Sequence, residues 1–490
     1  MRLFYYKYIH FSLILCYYRF IVRIYILFYC KGDSYLNKKT IKEVLSITLP
    51  AVGEMFLYVM IWFFDTAMVG KYGGQVAVST VGLCSEMMTS VINVFIVLGL
   101  CVGSISLISR SLGSNNFNLA EEYTSITFFI GIILALIIST TAHVFAPKLL
   151  SFAGAKNEVL RLGIVYLRIT SIGLFFNMLM NVLNSILRGS KNTKTPLFAS
   201  IIVNIVNIFL DWAMIFGNAG FPELGVKGAA IATSIAHFTG FLFILIYTFK
   251  YSALKPKFIH IKNMSLSKLK HIIKLSTPSS LQEAAYSIAR LWGIFVMIGL
   301  GEASFAANQI ATTVESISYM PGTGFEVACT ALVGHKIGEG NLKEANEYAK
   351  TSAFLSLIFM SFCSAIFLMF PRFIVSLFIN KSEFEVISLG SLCIMVAAVE
   401  QPFMAIYLAF GGALKGAGDT KTPLYISLVA AWVIRVPFML YFINHLRLPV
   451  YYNWWITAGQ WAFQGIAMYL VFKKKFSNTK KLQENYLMSN

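Results

Sequence analysis

The sequence predicts an all-α membrane protein with twelve transmembrane helices arranged in two pseudo-symmetric six-helix bundles. The 490 residues are 57% hydrophobic and only 13% charged, whereas a soluble domain carries roughly twice that share of charge. Apolar runs of about 20 residues, the length that crosses a bilayer, recur along the whole chain. A short basic stretch also occurs twice, which indicates that the chain is a duplicated half.

The duplicated stretch reads LRGSKNTKTP at Leu187–Pro196 and LKGAGDTKTP at Leu414–Pro423, which begins 227 residues later. Two further pairs keep nearly the same offset, namely Pro50 with Pro278 and Gly113 with Gly338. Three anchors in the same order predict two structurally equivalent halves.

Each copy of the stretch is expected to connect two helices by the same turn. Gly189 and Gly416 are predicted to end the preceding helix in the left-handed conformation. Thr195 and Thr422 are predicted to cap the following helix, with the next proline at its first position.

From about residue 41 the apolar runs define twelve spans, six in each half. The first six cover 41–69, 79–108, 124–146, 159–187, 197–217 and 228–250. The second six cover 272–299, 304–333, 350–371, 385–413, 424–446 and 452–472. Because each half has an even number of spans, both halves enter the membrane in the same orientation. In such parallel repeats the substrate site lies between the halves.

Lysine and arginine are distributed unequally between the two ends of the spans. The loops after even-numbered spans, together with the C-terminal tail, hold 18 of them, or 21 with Lys250, Lys274 and Lys350 at the adjoining span ends, and the loops after odd-numbered spans hold 7. Basic loops stay in the cytoplasm, so both termini and the Lys250–Lys274 link are predicted to lie inside. The net charge of +18 then reflects topology and anionic lipid headgroups, not nucleic acid.

These patterns divide the chain into five segments. They are a basic and aromatic extension (1–40), an N-lobe (41–250), a cytoplasmic linker (251–271), a C-lobe (272–473) and a cytoplasmic tail (474–490). The extension is too charged for a spanning helix and lacks the cleavage site of a signal peptide. Two interpretations of it stay open, an interfacial helix and an upstream segment with little role.

Charged and amide side chains inside two N-lobe spans form the main candidate site, because ionisable groups in a membrane are costly. Asp65 lies near the end of span 1, and Asn204, Asn207 and Asp211 share one face of span 5. This stripe either faces a cavity or forms a hydrogen-bonded seam between helices. Thr233 on span 6 adds a hydroxyl candidate. The second half has no acid at the equivalent positions, so the two carboxylates are a specialisation of the N-lobe.

Three acids in the C-lobe spans are weaker candidates: Glu283, Glu315 and Glu400. Glu315 and Glu400 each precede a proline, which frees a backbone carbonyl for a cation or water. Arg290 and Arg435 also lie within spans, and structural pairing with these bases is the favoured interpretation.

The sequence lacks the motifs that are typical of several functional classes. A phosphate-binding loop is absent, which argues against direct use of ATP, and no HExxH, Gly-x-Ser-x-Gly or Cys/His cluster occurs. The seven cysteines are scattered and read as small buried hydrophobes. We therefore expect a protein that is not an enzyme and that needs no cofactor.

Six motifs in a fixed order carry a family resemblance. They are DTAMVG at 65–70, LRGSKNTKTP at 187–196, NIVNIFLDWAMIFG at 204–217, GVKGAAIAT at 225–233, AANQIATTVESISYMPGTGF at 306–325 and LKGAGDTKTP at 414–423. From about residue 41 to 473 the chain resembles the multidrug and toxic compound extrusion (MATE) transporters. The resemblance implies two six-helix lobes and export of organic cations in exchange for sodium ions or protons.

The resemblance also implies a site. In one branch of the family, an acid on the first helix and an Asn/Asp pair on the fifth form a cation site. These positions fall on Asp65, Asn207 and Asp211, where Na⁺ would bind, with Thr233 a looser match. Another branch uses an acid on the seventh helix, near Glu283.

The expected function is therefore that of a secondary active multidrug efflux antiporter working by alternating access, with Na⁺ or H⁺ as the coupling ion. Its partners would be small organic cations and membrane lipids, and it would act as a monomer in the cell's inner (plasma) membrane. The alternative is a MATE-like flippase or exporter of lipid-linked or other amphiphilic cargo, which would line its cavity with basic residues. A membrane-embedded enzyme and a passive channel fit the sequence less well.

Overall fold

A computed structural model describes residues 37–262, 265–380 and 382–477, and all regular secondary structure in these residues is helical. Nearly all of the predicted N-terminal extension and most of the predicted tail fall outside them. The α-helices are Lys38–Ile92, Cys101–Gly113, Phe117–Val144, Ala146–Phe152, Asn157–Gly189, Lys194–Phe216, Val226–Tyr251, Phe258–Lys262, Leu266–Ile298, Glu302–Gly338, Leu342–Met369, Pro371–Ser376, Phe384–Gly416, Lys421–Leu428, Val436–Met439 and Tyr451–Ser477. Three π-helical segments, Asn93–Leu100, Val429–Arg435 and Leu440–His445, continue the helices beside them.

Each predicted span falls on one of the long helices. By length and hydropathy, eight helical segments of the described residues are able to cross a membrane. The longest, Lys38–Gly113, contains both span 1 and span 2, so these eight segments account for nine of the twelve spans. Spans 7, 8 and 12 lie on helices of comparable length, Leu266–Ile298, Glu302–Gly338 and Tyr451–Ser477.

Spans 1 and 2 are joined by one glycine, where the sequence predicts a short loop. Gly74 departs from helical geometry with φ 59° and ψ −147°, a conformation that glycine adopts without steric cost. The chain doubles back there, because Tyr58 OH lies 3.5 Å from Thr89 Oγ1 across the two spans. The tight turn keeps Asp65 inside a continuous helix.

The glycines of the duplicated stretch serve helix packing, and the prediction that they adopt the left-handed conformation is wrong. Gly189 and Gly416 are the last helical residues, and a Cβ on Gly416 would lie 2.5 Å from Thr330 O. The left-handed residues come two positions later, at Lys191 (φ 63°) and Gly418 (φ 83°).

The predicted threonine caps are also wrong. The carboxamide oxygen of Asn192 accepts a hydrogen bond from Thr195 N at 3.2 Å, and Asp419 Oδ1 accepts one from Thr422 N at 3.0 Å. Asn and Asp are the preferred acceptors for the exposed N–H groups of a first helical turn. The capping residues are therefore three positions before the predicted ones, and they are equivalent in the two halves.

Each large apolar cluster consists mostly of residues from one half. In the first half, one cluster includes Leu183 and Ile186, and another includes Leu150 and Tyr166. In the second half, Phe410 belongs to one cluster, and a second cluster lies towards the opposite ends of the same helices. The burial of large side chains within each half is the main stabilising contribution to such a bundle.

The halves pack most closely at the end of the bundle that carries the loops after even-numbered spans, called here the lysine-rich face. A Cβ on Gly113 would lie 2.0 Å from His335 O, and a Cβ on Gly338 would lie 2.1 Å from a carbonyl oxygen of span 2. Tyr348 OH donates to Glu43 Oε2 at 2.5 Å, also across the two halves. The structure is therefore closed at the lysine-rich face.

Candidate functional site

The predicted N-lobe residues come from three helices. Asp65 lies on span 1, Asn207 and Asp211 on span 5, and Thr233 on span 6. Asp211 is fully buried, Asn207 is 1% exposed and Asp65 is 8% exposed. The spacing of four residues places Asn207 and Asp211 on one face of their helix, as predicted, and this face points into the bundle.

The structure brings these side chains together. The side chains of Asp211, Asn207 and Thr233 are the polar neighbours that act on the Asp65 carboxyl group. Asn207 Nδ2 donates to Thr233 Oγ1 at 3.5 Å, and the Thr233 hydroxyl donates to Ala229 O at 2.9 Å. Two carboxyl groups and one amide therefore converge inside the N-lobe, with a hydroxyl at their edge.

Four oxygens of this cluster lack a hydrogen-bond partner although they are buried. They are Asp65 Oδ1, Asn207 Oδ1 and both carboxylate oxygens of Asp211. In the described part of the chain, neither carboxylate forms an ion pair with a lysine, arginine or histidine. A buried carboxylate without a partner is costly, and two ionised carboxylates cannot donate to each other. The arrangement therefore favours a bound proton or a small cation.

The hydrogen-bonded-seam interpretation of the span 5 stripe fits Asn207, which donates to Thr233 of span 6, and it does not fit Asn204. Asn204 Nδ2 donates to Ser200 O of its own helix at 2.8 Å. Neither carboxylate oxygen of Asp211 has a hydrogen-bond partner, so Asp211 does not link span 5 to another helix by a hydrogen bond.

Tyr166 of span 4 belongs to the same site, and sequence reasoning did not find it. Its side chain is 1% exposed, and the charges of Asp65 and Asp211 both act on its hydroxyl. The residue is one of 24 tyrosines in the chain, and nothing in its neighbourhood of the sequence marks it. Its place beside the acids depends on how span 4 packs against spans 1 and 5.

Two of the C-lobe acids also meet. Glu315 and Glu400 act on each other's carboxyl groups, and Glu400 is fully buried with no hydrogen bond to either carboxylate oxygen. The charge of Arg435 acts on both carboxyl groups, which distinguishes this pair from the N-lobe pair. The Arg435 guanidinium lies 5.8 Å from the ring centre of Tyr286.

Glu283 lies apart from that pair, on span 7. Ser287 Oγ donates to Glu283 Oε1 at 3.4 Å, and the charges of Arg290 and Lys415 act on its carboxyl group. The three weaker acids of the sequence analysis therefore form one pair and one separate residue.

Other acids inside the spans have basic partners. Glu54 accepts from Arg188 at 2.5 Å, and Lys415 lies 2.7 Å from Glu326, both in buried surroundings. Arg188 and Lys415 occupy equivalent positions of the duplicated stretch, so each half buries one base of that stretch against an acid of another helix. These pairs are structural, whereas Asp65 and Asp211 form no such pair with a base of the described residues.

Comparison with known proteins places the chain among membrane transporters. A family profile described as MatE matches residues 50–213 and 278–440, one match in each predicted half. A probable multidrug resistance protein NorM of Thermotoga maritima is 29% identical over 433 residues, covering 87% of this chain and 91% of that protein. An uncharacterized transporter, YisQ of Bacillus subtilis, is 26% identical and covers 87% of this chain and 93% of its own length.

Solved structures share the fold. One described as the outward-facing conformation of a multidrug resistance MATE family transporter has a TM-score of 0.84 at 23% identity, covering 90% of this chain and 97% of that one. A transporter of the MOP superfamily from Pyrococcus furiosus gives a TM-score of 0.83 with the same identity and coverage. The predicted fold class, twelve membrane helices in two bundles, is confirmed by these likenesses.

Proposed function

The chain belongs to the MatE family of multi-pass membrane transporters, and from that premise we propose that it is a secondary active antiporter that exports organic cations. The proposed coupling ion is a proton or a sodium ion, bound at Asp65, Asn207 and Asp211. The observation that carries the proposal is the buried pair of carboxylates that no base of the described chain neutralises. Relatives described as probable multidrug resistance proteins support the substrate class.

The chemistry of the pair supports ion coupling. Two neighbouring carboxyl groups can share one proton, since each ionised group is an acceptor and the proton supplies the donor. The same oxygens, with Asn207 Oδ1 and the Thr233 hydroxyl, are hard ligands of the kind that hold a small cation. Either ion reduces the cost of burying the negative charge.

Coupling follows from competition for that charge. An organic cation bound near the pair and a coupling ion bound within it are both stabilised by the same two carboxylates. A ligand shifts a conformational equilibrium only by its differential affinity for the two states. Entry of the coupling ion therefore weakens binding of the organic cation and favours its release.

The packing of the two halves supports alternating access between them. The lysine-rich face is closed by close backbone contacts, and the distribution of basic residues assigns that face to the cytoplasm. With both termini inside, the structure then represents a state that is closed to the cytoplasm. The chain acts as a monomer in this proposal, because two lobes suffice to enclose a site between them.

The second candidate is export of lipid-linked or other amphiphilic cargo on the same fold. The Pyrococcus furiosus structure carries a title stating that reverse polarity of its binding pocket suggests a different function. In the chain described here, Arg290 pairs with Glu86, and Arg435 lies beside two glutamates. Because these bases meet acids, the cavity of this chain favours cationic cargo.

The test uses purified protein in liposomes, with dye-cation efflux driven by an imposed H⁺ or Na⁺ gradient. We expect one of the two gradients to drive efflux in the wild type, and Asp211→Asn to abolish this coupled efflux while the protein still inserts. Glu302→Gln, which removes a carboxylate in the first turn of span 8, is the matched control and should leave efflux unchanged. Full coupled efflux by Asp211→Asn would refute the site.

A further inference from the structure

One ion pair joins the two halves far from the lysine-rich face. Arg290 Nη2 of span 7 lies 2.6 Å from Glu86 Oε1 of span 2. Their side chains are 41% and 57% exposed, respectively, unlike the buried pairs within each half. A charged pair at membrane depth avoids lipid, so its exposed surface faces water or cargo between the halves.

Glycine contacts show where this pair sits along the helices. Towards the lysine-rich face, spans 2 and 7 touch closely, since a Cβ on Gly99 would lie 2.3 Å from Ser280 Oγ and one on Gly103 would lie 2.5 Å from Ser276 Oγ. Glu86 lies 13 residues before Gly99, or about 20 Å of helix towards the opposite face. The two long side chains thus bridge the helices where backbone contact has ended.

The surroundings of Glu86 suit an organic cation. Tyr58 of the neighbouring span 1 is 41% exposed, and its hydroxyl lies 3.5 Å from Thr89 Oγ1, one helical turn after Glu86 on the same face of span 2. A carboxylate beside an aromatic ring is a favourable site for a lipophilic cation, through ion pairing and the cation–π interaction. On the other side, Arg290 also acts on Glu283 and Tyr286 of its own helix, so the guanidinium has a second acidic partner.

We propose that Glu86 is a binding subsite for lipophilic monovalent cations and that Arg290 is a tethered competitor that occupies it when no cargo is bound. An arriving organic cation displaces the guanidinium from Glu86, and Arg290 then turns towards Glu283. This inference deepens the proposed function and rests on it, because it names a place in the cleft where the exported cation binds. It does not involve the Asp65–Asp211 pair.

Because the pair is exposed, displacing the Arg290 guanidinium from Glu86 costs little free energy. Ion pairs open to solvent are weak, and those measured correspond to a factor of roughly 1.4 to 5 in an equilibrium constant. A hydrophobic cation that adds aromatic contact to the same charge interaction outcompetes a partner held so loosely. A buried pair such as Glu54–Arg188 does not release its acid in this way.

The two substitutions have opposite expected effects, which makes the proposal testable. Ethidium is the probe, both as an equilibrium ligand of detergent-purified protein, followed by its fluorescence, and as a transported cation in liposomes. Arg290→Gln frees Glu86 and should strengthen ethidium binding and lower KM by roughly two- to fivefold. Glu86→Gln should weaken ethidium binding and raise KM by a similar factor. The double variant Glu86→Gln/Arg290→Gln should match Glu86→Gln alone. Arg290→Lys keeps the tethered charge and should resemble the wild type.

A purely structural role predicts a different pattern. If the pair only holds spans 2 and 7 together, Arg290→Gln weakens ethidium binding or transport as Glu86→Gln does, and that result overturns the proposal. An unchanged ethidium affinity in both variants overturns it as well. If no ion gradient drives ethidium export by the wild type, the proposed function fails, yet equilibrium binding to the same variants still decides the role of Glu86.

Discussion

The glycine contact at the lysine-rich face leads to a quantitative prediction for Gly113→Ala. The new methyl would start 2.0 Å from His335 O, whereas ordinary contacts begin at 3.4 Å, so the atoms must separate by about 1.4 Å. The opposing atom belongs to the backbone of a helix end and cannot rotate away as a side chain does. The whole end of span 8 must therefore move away from span 2.

The cost of this movement falls on the closed state alone. Overpacking a tight contact typically costs about 1–3 kcal/mol. When the halves part at this face the methyl meets no obstacle, so the ratio of closed to open states should fall about 5- to 150-fold. Coupled efflux should decline with it, because each transport cycle must return to the closed state.

Hydrogen–deuterium exchange and transport together check this reasoning. In Gly113→Ala, peptides that cover Cys101–Gly113 and the end of span 8 should exchange faster than in the wild type, and dye efflux should slow. Gly82→Ala is the matched control on the same span, because a Cβ there meets nothing within 4 Å. Wild-type exchange and full efflux in Gly113→Ala would refute the argument that this contact sets the closed state.

Three further predictions follow from polar groups whose partners are described above. Glu400→Gln should retain most gradient-driven dye efflux, in contrast to Asp211→Asn, because an arginine already acts on its acid pair. Arg188→Met leaves the buried Glu54 carboxylate without its base, so the free energy of unfolding in detergent should fall by about 3–5 kcal/mol. The double variant Arg188→Met/Glu54→Gln should recover most of this loss. Asn192→Ala removes the cap of span 5 and should cost about 0.5–2 kcal/mol, measured by thermal unfolding.

Local turn chemistry was predicted only in part, and the repeated stretch shows why. Residue preference predicts that its glycines end one helix and that its threonines begin the next. In the structure, Asn192 and Asp419 provide the caps, and the left-handed residues are Lys191 and Gly418. Several residues of the stretch suit each role, and the packing of Gly416 against Thr330 O decides which register the helices adopt.

The acids inside the spans could be found from the sequence, but their roles could not be separated there. Asp65 and Asp211 stand out because charge is rare in an apolar span. Whether a carboxylate has a base depends on residues far away in the chain, as Glu54 with Arg188 illustrates at a separation of 134 residues. The pairing of Glu86 with Arg290, 204 residues apart, had no signal in either neighbourhood.

The sequence alone determined the number of spans, their duplication and the presence of costly polar groups within them. These features follow from bilayer thickness and from the free energy of burying charge, and both act on residues close together in the chain. Only the tertiary structure decided which acids are neutralised and which remain without a base. That outcome depends on how helices distant in sequence pack side by side, because an ion pair forms only when two side chains come within a few ångströms.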